Sequence, residues 1–142
     1  MDITQTFYDN MASQYDKLFL DWNATTHEQV VILERIFRHN GFGSSASVLD
    51  CACGIGTQAL GLATLGYNMA ASDISSKGML EARWEAVRRN LTIRFAYCDY
   101  CKLADHFKDM DISKVIKMCI IHDLGEAFTG DIPTFEKTTT NE

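Results

Sequence analysis

The chain has 142 residues, of which 46% are apolar and 23% are charged, and its formal net charge is −6 at pH 7. This size and composition are typical of one soluble globular domain, and the acidic balance argues against a nucleic-acid-binding surface, which needs clustered basic residues. No apolar run approaches the roughly 18 residues of a membrane span, so we expect no membrane partner. The N-terminus lacks the basic and apolar regions of a signal peptide, and an odd cysteine count, five, predicts reduced thiols in a cytoplasmic protein.

The first part of the chain is predicted to be helical. Residues 1–22 are rich in aromatic side chains and predict helical arms, and the stretch TTHEQVVILERIFRHNG has the periodicity of an amphipathic helix. Thr25 and Glu28 match a capping box at its start, and Gly41 is expected to end it. Its predicted apolar face comprises Val30, Leu33, Ile36 and Phe37.

Strands and helices then alternate, which predicts an α/β fold with a parallel sheet. The predicted elements are a strand at 48–51, a helix at 57–65, a strand at 68–73, a helix from Ser75 or Ser76 to about Arg89, and a strand within LTIRFAYCD. After Phe107 the pattern changes to helical spacing, which predicts a long helix between Asp111 and Gly130. The polar tail DIPTFEKTTTNE predicts a loop and a frayed end, and no fourth strand is predicted.

The stretch ASVLDCACGIGTQALGL predicts a strand that turns through small residues into a helix. Such a turn presents backbone N–H groups and a partial positive charge to a ligand. Asp73 ends the second strand and is placed to accept hydrogen bonds from both hydroxyls of a ribose. Asp99 ends the third strand on the same edge, with Tyr100 beside it to pack on a purine. Three acidic strand ends in succession therefore favour a nucleotide site over ordinary turn residues.

The segment VLDCACGIGTQALGLATLGYNMAASDIS resembles the cofactor motif of class I S-adenosylmethionine-dependent methyltransferases. The N-terminal FYDNMASQYDKLFLDW is similar to that of bacterial glycine and sarcosine N-methyltransferases, and the whole resemblance covers about residues 5–107. Ala52 stands where most of these enzymes have the first glycine of the motif, a position where the glycine N-methyltransferase group also accepts alanine. The resemblance implies S-adenosylmethionine as cofactor, bound by Tyr15, Trp22, Asp50, Ala52, Gly54, Gly56, Asp73, Asp99 and Tyr100.

The same resemblance implies specific roles for these residues. Ala52 and Gly54 would line the methionine end, Asp73 would bind the ribose, and Asp99 with Tyr100 would hold the adenine. Tyr15 and Trp22 would lie over the cofactor from the N-terminal arm. Catalysis would consist largely of aligning the acceptor's lone pair with the methyl group in a dry site, so no catalytic residue is assigned.

The resemblance also implies a truncated Rossmann-like sheet. The family has seven strands with the first in the middle, and nothing in this chain matches strands four to seven, which carry much of the acceptor pocket. We therefore expect three strands in the order 3-2-1, a small-molecule and possibly amine acceptor, and cofactor binding more readily than turnover. The exposed edge of the first strand predicts a homo-oligomer, and an alternative function is that of a non-catalytic fusion that self-associates through this edge.

The late segment IIHDLGEAFTGDIPTFEKT resembles the core of HD-domain phosphohydrolases over about residues 109–138. That resemblance implies that His122 and Asp123 hold a divalent metal, with Glu126 and Asp131 assisting water attack on a phosphate ester. The alternative is a helix that packs by its apolar face with His122 and Asp123 near its polar side. The sequence thus divides into a partial methyltransferase-like segment, residues 1–107, and an HD-like segment, residues 108–142, joined in a chimera.

Overall fold

The computed structural model of the chain describes residues 3–12, 14, 17 and 21–111. By its contacts the chain divides into two units, Met1–Cys101 and Lys102–Glu142, while the sequence boundary at 107/108 stays a prediction. The described elements are α1 (Ile3–Ala12), α2 (Trp22–His39), β1 (Ser47–Asp50), α3 (Thr57–Thr64), β2 (Asn68–Asp73), α4 (Ser76–Arg88), β3 (Ile93–Tyr97), a 3₁₀ turn (Tyr100–Lys102) and α5 (Leu103–His106). The long helix predicted from Asp111 lies outside the described residues.

The three strands form one parallel sheet in the order β1-β2-β3, which confirms the predicted α/β fold and strand order. Strand β2 lies in the centre, and every residue of it after Asn68 is buried. The side chains of Ala70, Ala71 and Ser72 are small, so helices can pack closely over this strand. None of the three residues has exposed surface. The predicted strand NMAASD matches β2 from end to end.

Helix α2 begins three residues earlier than its predicted capping box. Asp21 is the N-cap, and its side chain accepts a hydrogen bond from the Ala24 backbone N–H at 3.0 Å. Thr25 therefore lies inside the helix, and the predicted box of Thr25 and Glu28 is wrong. Gly41 follows the helix with a φ of +81°, in agreement with its predicted role as the stop.

The core-facing side of α2 is narrower than predicted. Val30 is buried, and Leu33 and Phe37 pack against the same core cluster, which includes Met69 of β2. Ile36 was predicted to share this face but is 50% exposed, because it lies to one side of the stripe that faces the sheet. Among residues 3–12 and 21–111, no helix combines the length and the apolar character needed to cross a bilayer.

Helices α2 and α3 pack tightly against each other at Gly61. A Cβ atom added to Gly61 would lie 2.2 Å from Cγ2 of Val30, a side chain that is only 5% exposed. Val30 is β-branched and has few alternative rotamers, so it has little freedom to move aside. The absence of a side chain at Gly61 therefore sets how closely α2 packs on α3.

Replacing Gly61 with alanine is expected to destabilise the fold by about 1–2 kcal/mol, because the overlap with Val30 outweighs the better helix propensity of alanine. The measurement is urea unfolding of the variant beside Gly43→Ala, where a Cβ would meet nothing within 4 Å. Adding Val30→Ala to the Gly61→Ala variant should relieve the overlap, so the double variant should lose less stability than the two single variants together. Equal stability of Gly61→Ala and Gly43→Ala would contradict the close packing.

Candidate functional site

The turn between β1 and α3, residues 51–56, is fastened to the neighbouring strand by its backbone. The Cys53 N–H donates to the Ser72 carbonyl at 3.1 Å, and the Ser72 hydroxyl donates to the Cys51 carbonyl at 3.2 Å. Within the turn, the Gly56 N–H donates to the Cys53 carbonyl at 2.7 Å. These bonds keep the turn at the carboxyl edge of β1 and β2. The backbone N–H groups of the first residues of α3, which have no partner within the helix, point toward the same edge.

Two glycines give this turn its shape. Gly54 has a φ of +53° and Gly56 a φ of +87°, both in the left-handed region that favours glycine. A Cβ at Gly56 would lie 3.0 Å from the Cβ of Ala82, so α4 also requires a small residue there. At Gly54, by contrast, a Cβ would meet nothing within 4 Å, and neighbouring Ala52 is exposed. The turn thus has a packed side at Gly56 and an open side at Gly54.

Asp50, at the end of β1, is turned into the loop. The backbone N–H groups of Ala52 and Ala59 favour its charged form and act to lower its pKa. Ala59 is the third residue of α3, so the Asp50 carboxylate lies near the N-terminus of that helix. Burial, with a smaller contribution from the negative charge of Asp73, raises the pKa of Asp50 to about 6. Its assignment as a cofactor contact stays a prediction.

Asp73, at the end of β2, links two turns through one carboxylate. Oδ2 accepts the Gly54 N–H at 2.8 Å, and Oδ1 accepts the Ser75 N–H at 2.7 Å. A carboxylate has about four lone-pair positions, so roughly two remain for other donors. Asp73 is 9% exposed, and it lies next to the open side of the turn through its bond to Gly54.

The end of β3 lies beside the end of β2. The Cys98 N–H donates to the Asp73 carbonyl at 3.1 Å, which brings the following residue, Asp99, to the same edge. Asp99 is exposed, and its Oδ1 accepts the Cys101 N–H at 2.9 Å. Tyr100 begins the 3₁₀ turn. The sheet therefore brings Asp73 and Asp99 to one edge, as predicted from the parallel topology.

Several predicted site residues lie outside the described part of the chain. They are Tyr15, the side chains of Trp22 and Tyr100, and the HD-like pair His122 and Asp123. Within residues 3–12 and 21–111, no group of three or more His, Cys, Asp or Glu side chains is arranged to hold a metal ion. Cys53 is buried, and its burial raises the pKa of its thiol far above the ordinary range, so it remains neutral.

Asp9 of α1 also belongs to this region, although it was not among the predicted site residues. Its carboxylate accepts hydrogen bonds from the Ser75 hydroxyl at 2.7 Å and from the Lys77 N–H at 3.0 Å. The sequence predicted Ser75 or Ser76 as the N-cap of α4. The structure shows Ser75, whose hydroxyl accepts a hydrogen bond from the Gly78 N–H three residues later. Asp9 has no such local pattern, since its partners follow 66 or more residues later.

Comparison with protein-family models matches an HD domain over residues 94–142. The match covers less than half of the chain, and it begins within β3, earlier than the resemblance at residues 109–138. Among curated proteins, no significant match was found.

The solved structures that resemble this chain include methyltransferases. Magnesium protoporphyrin IX methyltransferase from Synechocystis PCC 6803 with bound SAH is 19% identical, with a TM-score of 0.59, and the match covers 71% of this chain and 52% of that one. The same enzyme with bound SAM is 19% identical, with a TM-score of 0.59 and coverages of 72% and 57%. An S-adenosylmethionine-dependent methyltransferase from Clostridium acetobutylicum ATCC 824 is 27% identical, with a TM-score of 0.50 and coverages of 66% and 37%.

These matches show that the three-stranded sheet and its helices have the Rossmann-like α/β fold of S-adenosylmethionine-dependent methyltransferases. The chain spans 37% of the Clostridium protein and at most 57% of the Synechocystis enzyme, and thus less than two thirds of either.

The raised pKa of Asp50 predicts a pH dependence of stability. Because the folded state binds this proton more tightly than the unfolded chain does, its contribution is complete below about pH 4 and is lost as the pH rises through about 6. The loss is on the order of 2–3 kcal/mol. Asp50→Asn removes the titration while keeping one acceptor oxygen.

We therefore expect the stability difference, wild type minus Asp50→Asn, to fall between pH 4 and pH 7 in urea unfolding. A difference that stays constant over that range would contradict a raised pKa for Asp50.

Proposed function

We propose that the chain binds S-adenosylmethionine at the carboxyl edge of β1 and β2, as a protein of the methyltransferase class. The observation that carries the proposal is the position of the Asp73 carboxylate, bonded to Gly54 beside the open side of the turn. This juxtaposition suits a ligand that passes close to backbone and offers hydroxyl donors, as a nucleoside does.

The residues present fit such a cofactor. The space at Gly54 and exposed Ala52 would receive the methionine end, and the remaining lone pairs of Asp73 would accept the ribose hydroxyls. The negative charges of Asp73 and Asp99 complement a cationic ligand. Asp99 and Tyr100 are proposed to hold the adenine, with Tyr15 and Trp22 covering the cofactor.

When bound, S-adenosylmethionine would supply a methyl group on a sulfonium that leaves readily. The contribution of this chain would be to orient the cofactor and to exclude water. The Clostridium protein, 27% identical with a TM-score of 0.50, supports the cofactor class. The N-terminal FYDNMASQYDKLFLDW supports the narrower proposal of a glycine- or sarcosine-N-methyltransferase-like protein with a small amine acceptor.

A second candidate function is favoured by the HD-domain match over residues 94–142. In it, His122 and Asp123 would hold a divalent metal, and the activity would be hydrolysis of a phosphate ester. Metal analysis of the purified chain, followed by assay of nucleoside monophosphates, distinguishes this function from the first. Stoichiometric metal with phosphate release would support it, and a metal-free chain without phosphate release would rule it out.

Self-association is a further part of the proposal. Among the described residues, β1 pairs with β2 on one side only, and Val48 and Leu49 are half-buried on this strand. A second copy that covers this edge would remove an open row of backbone groups. Sedimentation without cofactor or metal should then show an oligomer, and a monomer at all concentrations would contradict it.

The proposed function predicts that S-adenosylhomocysteine binds the wild-type chain in calorimetric titration in chelator-treated buffer, and that Gly54→Ala weakens this binding. The added methyl group would occupy the open side of the turn, where the cofactor is expected. The expected loss of affinity is about tenfold, equivalent to about 1.4 kcal/mol.

Gly66→Ala is the matched control. Gly66 also has a positive φ, +91°, but it follows α3 at the other end of that helix, so both variants carry backbone strain and only one changes the turn. No binding by a folded wild-type chain would remove the proposed function. Equal affinities of Gly54→Ala and wild type would remove Gly54 from the site.

A further inference from the structure

Helix α1 is anchored to the start of α4 through one side chain. Oδ1 of Asp9 accepts the Ser75 hydroxyl at 2.7 Å and the Lys77 N–H at 3.0 Å, and Oδ2 accepts the Ser76 hydroxyl at 3.3 Å. Lys77 is the second residue of α4, so its N–H is one that the helix itself leaves unpaired. A carboxylate at a helix N-terminus is also stabilised by the helix dipole.

Most side chains of α1 are exposed or only half-buried. Only Ala12 of this helix is buried, whereas Phe7 is 58% and Tyr8 47% exposed. An isolated helix of ten residues is marginal in water, so α1 depends on contacts with the rest of the fold. Hydrogen bonds to the Lys77 backbone and to the Ser75 hydroxyl lower the pKa of Asp9, as expected for a carboxylate bound most tightly in its charged form.

Ser75 connects Asp9 to the candidate site. Ser75 donates its hydroxyl to Asp9 and its backbone N–H to Oδ1 of Asp73, at 2.7 Å in both cases. Asp73 in turn accepts the Gly54 N–H at 2.8 Å through Oδ2. One residue, Ser75, therefore lies between the carboxylate that holds α1 and the carboxylate proposed to hold the ribose.

We propose that Asp9 is a positioning residue, through which the docking of α1 on α4 and the binding of a nucleoside ligand at Asp73 strengthen each other. The inference rests on the proposed function. A ligand that restrains Asp73 also restrains Ser75 through the hydrogen bond between them. Ser75 then holds in place the hydroxyl that donates a hydrogen bond to Asp9.

This coupling acts in both directions with the same magnitude. If a docked α1 raises the affinity for the ligand by a given factor, the ligand must stabilise the docking of α1 by that factor. The coupling can therefore be observed on α1 itself, without any measurement of methyl transfer.

The test combines calorimetric titration of S-adenosylhomocysteine with amide hydrogen exchange of residues 3–12 in the full chain. In the wild type, S-adenosylhomocysteine is expected to slow exchange in α1 several-fold. Asp9→Ala should weaken binding at least fivefold and abolish the ligand's effect on α1. Asp9→Asn, which keeps the shape but loses the charge, should give a smaller loss and serves if the alanine variant does not fold.

Asn68→Ala is the control, because it also removes a side-chain hydrogen bond, the 3.0 Å bond from Nδ2 to the Ser47 hydroxyl, but at the amino ends of β1 and β2. Its affinity should equal that of the wild type. If the wild type binds S-adenosylhomocysteine but α1 exchange does not respond, and the Asp9 variants bind equally well, the role of Asp9 is overturned and the proposed function stands. If the folded wild type does not bind, both fail.

Discussion

Two hydrogen bonds to the carboxylate of Asp73 determine the form of the carboxyl edge of this sheet. One reaches Gly54 in the turn after β1, and the other reaches Ser75 at the start of α4. A single side chain thus joins the two turns that border the candidate site. Without it, the turn at 51–56 would keep its hydrogen bonds to Ser72 but would lose the bond to Asp73 that links it to Ser75.

The register of the strands explains why two aspartates at neighbouring strand ends have different surroundings. Asp50 is paired with Ala71, so β2 continues for two residues beyond β1, a step of about 6–7 Å. Asp50, half-buried at the end of the shorter strand, lies near the start of α3 and has a raised pKa because its carboxyl group is desolvated. Asp73, on the longer strand, stands beside the turn instead of under it. Aspartate therefore has two different surroundings here. Asp50 ends the shorter strand near the start of α3, and Asp73 ends the longer strand beside the open side of the turn.

Much of this arrangement could be predicted because its signals are local. Strand β2 lies between Gly66 and Ser75, two residues that interrupt regular structure, and its small apolar residues favour a buried strand. Both of its ends were therefore predicted correctly. The start of α2 was predicted at the wrong residue because Thr25 with Glu28 imitates a capping box, while the N-cap, Asp21, lies in a segment dominated by aromatic residues. Ile36 is 50% exposed because tertiary packing decides which side of α2 meets the core, and no local pattern records this.

The contacts of the site itself were less predictable than the residues that make them. That Asp73 ends a strand follows from periodicity, but its bond to Gly54 depends on how the turn folds back over β2. The position of Asp50 near the start of α3 was not predictable, because Ala59 lies nine positions later across a turn whose conformation relies on two glycines with positive φ. Asp9 belongs to the same class, since only the tertiary fold brings α1 to α4.

The anchor of α1 also has a consequence for the order in which the chain folds. Asp9 and its partners Ser75 and Lys77 are separated by 66 and 68 positions. During synthesis from the N-terminus, α1 leaves the ribosome well before the residues that hold it exist as a helix. Its docking closes a long loop and must follow the formation of β2 and the first turn of α4. The first helix in the sequence is therefore among the last described elements to reach its native place.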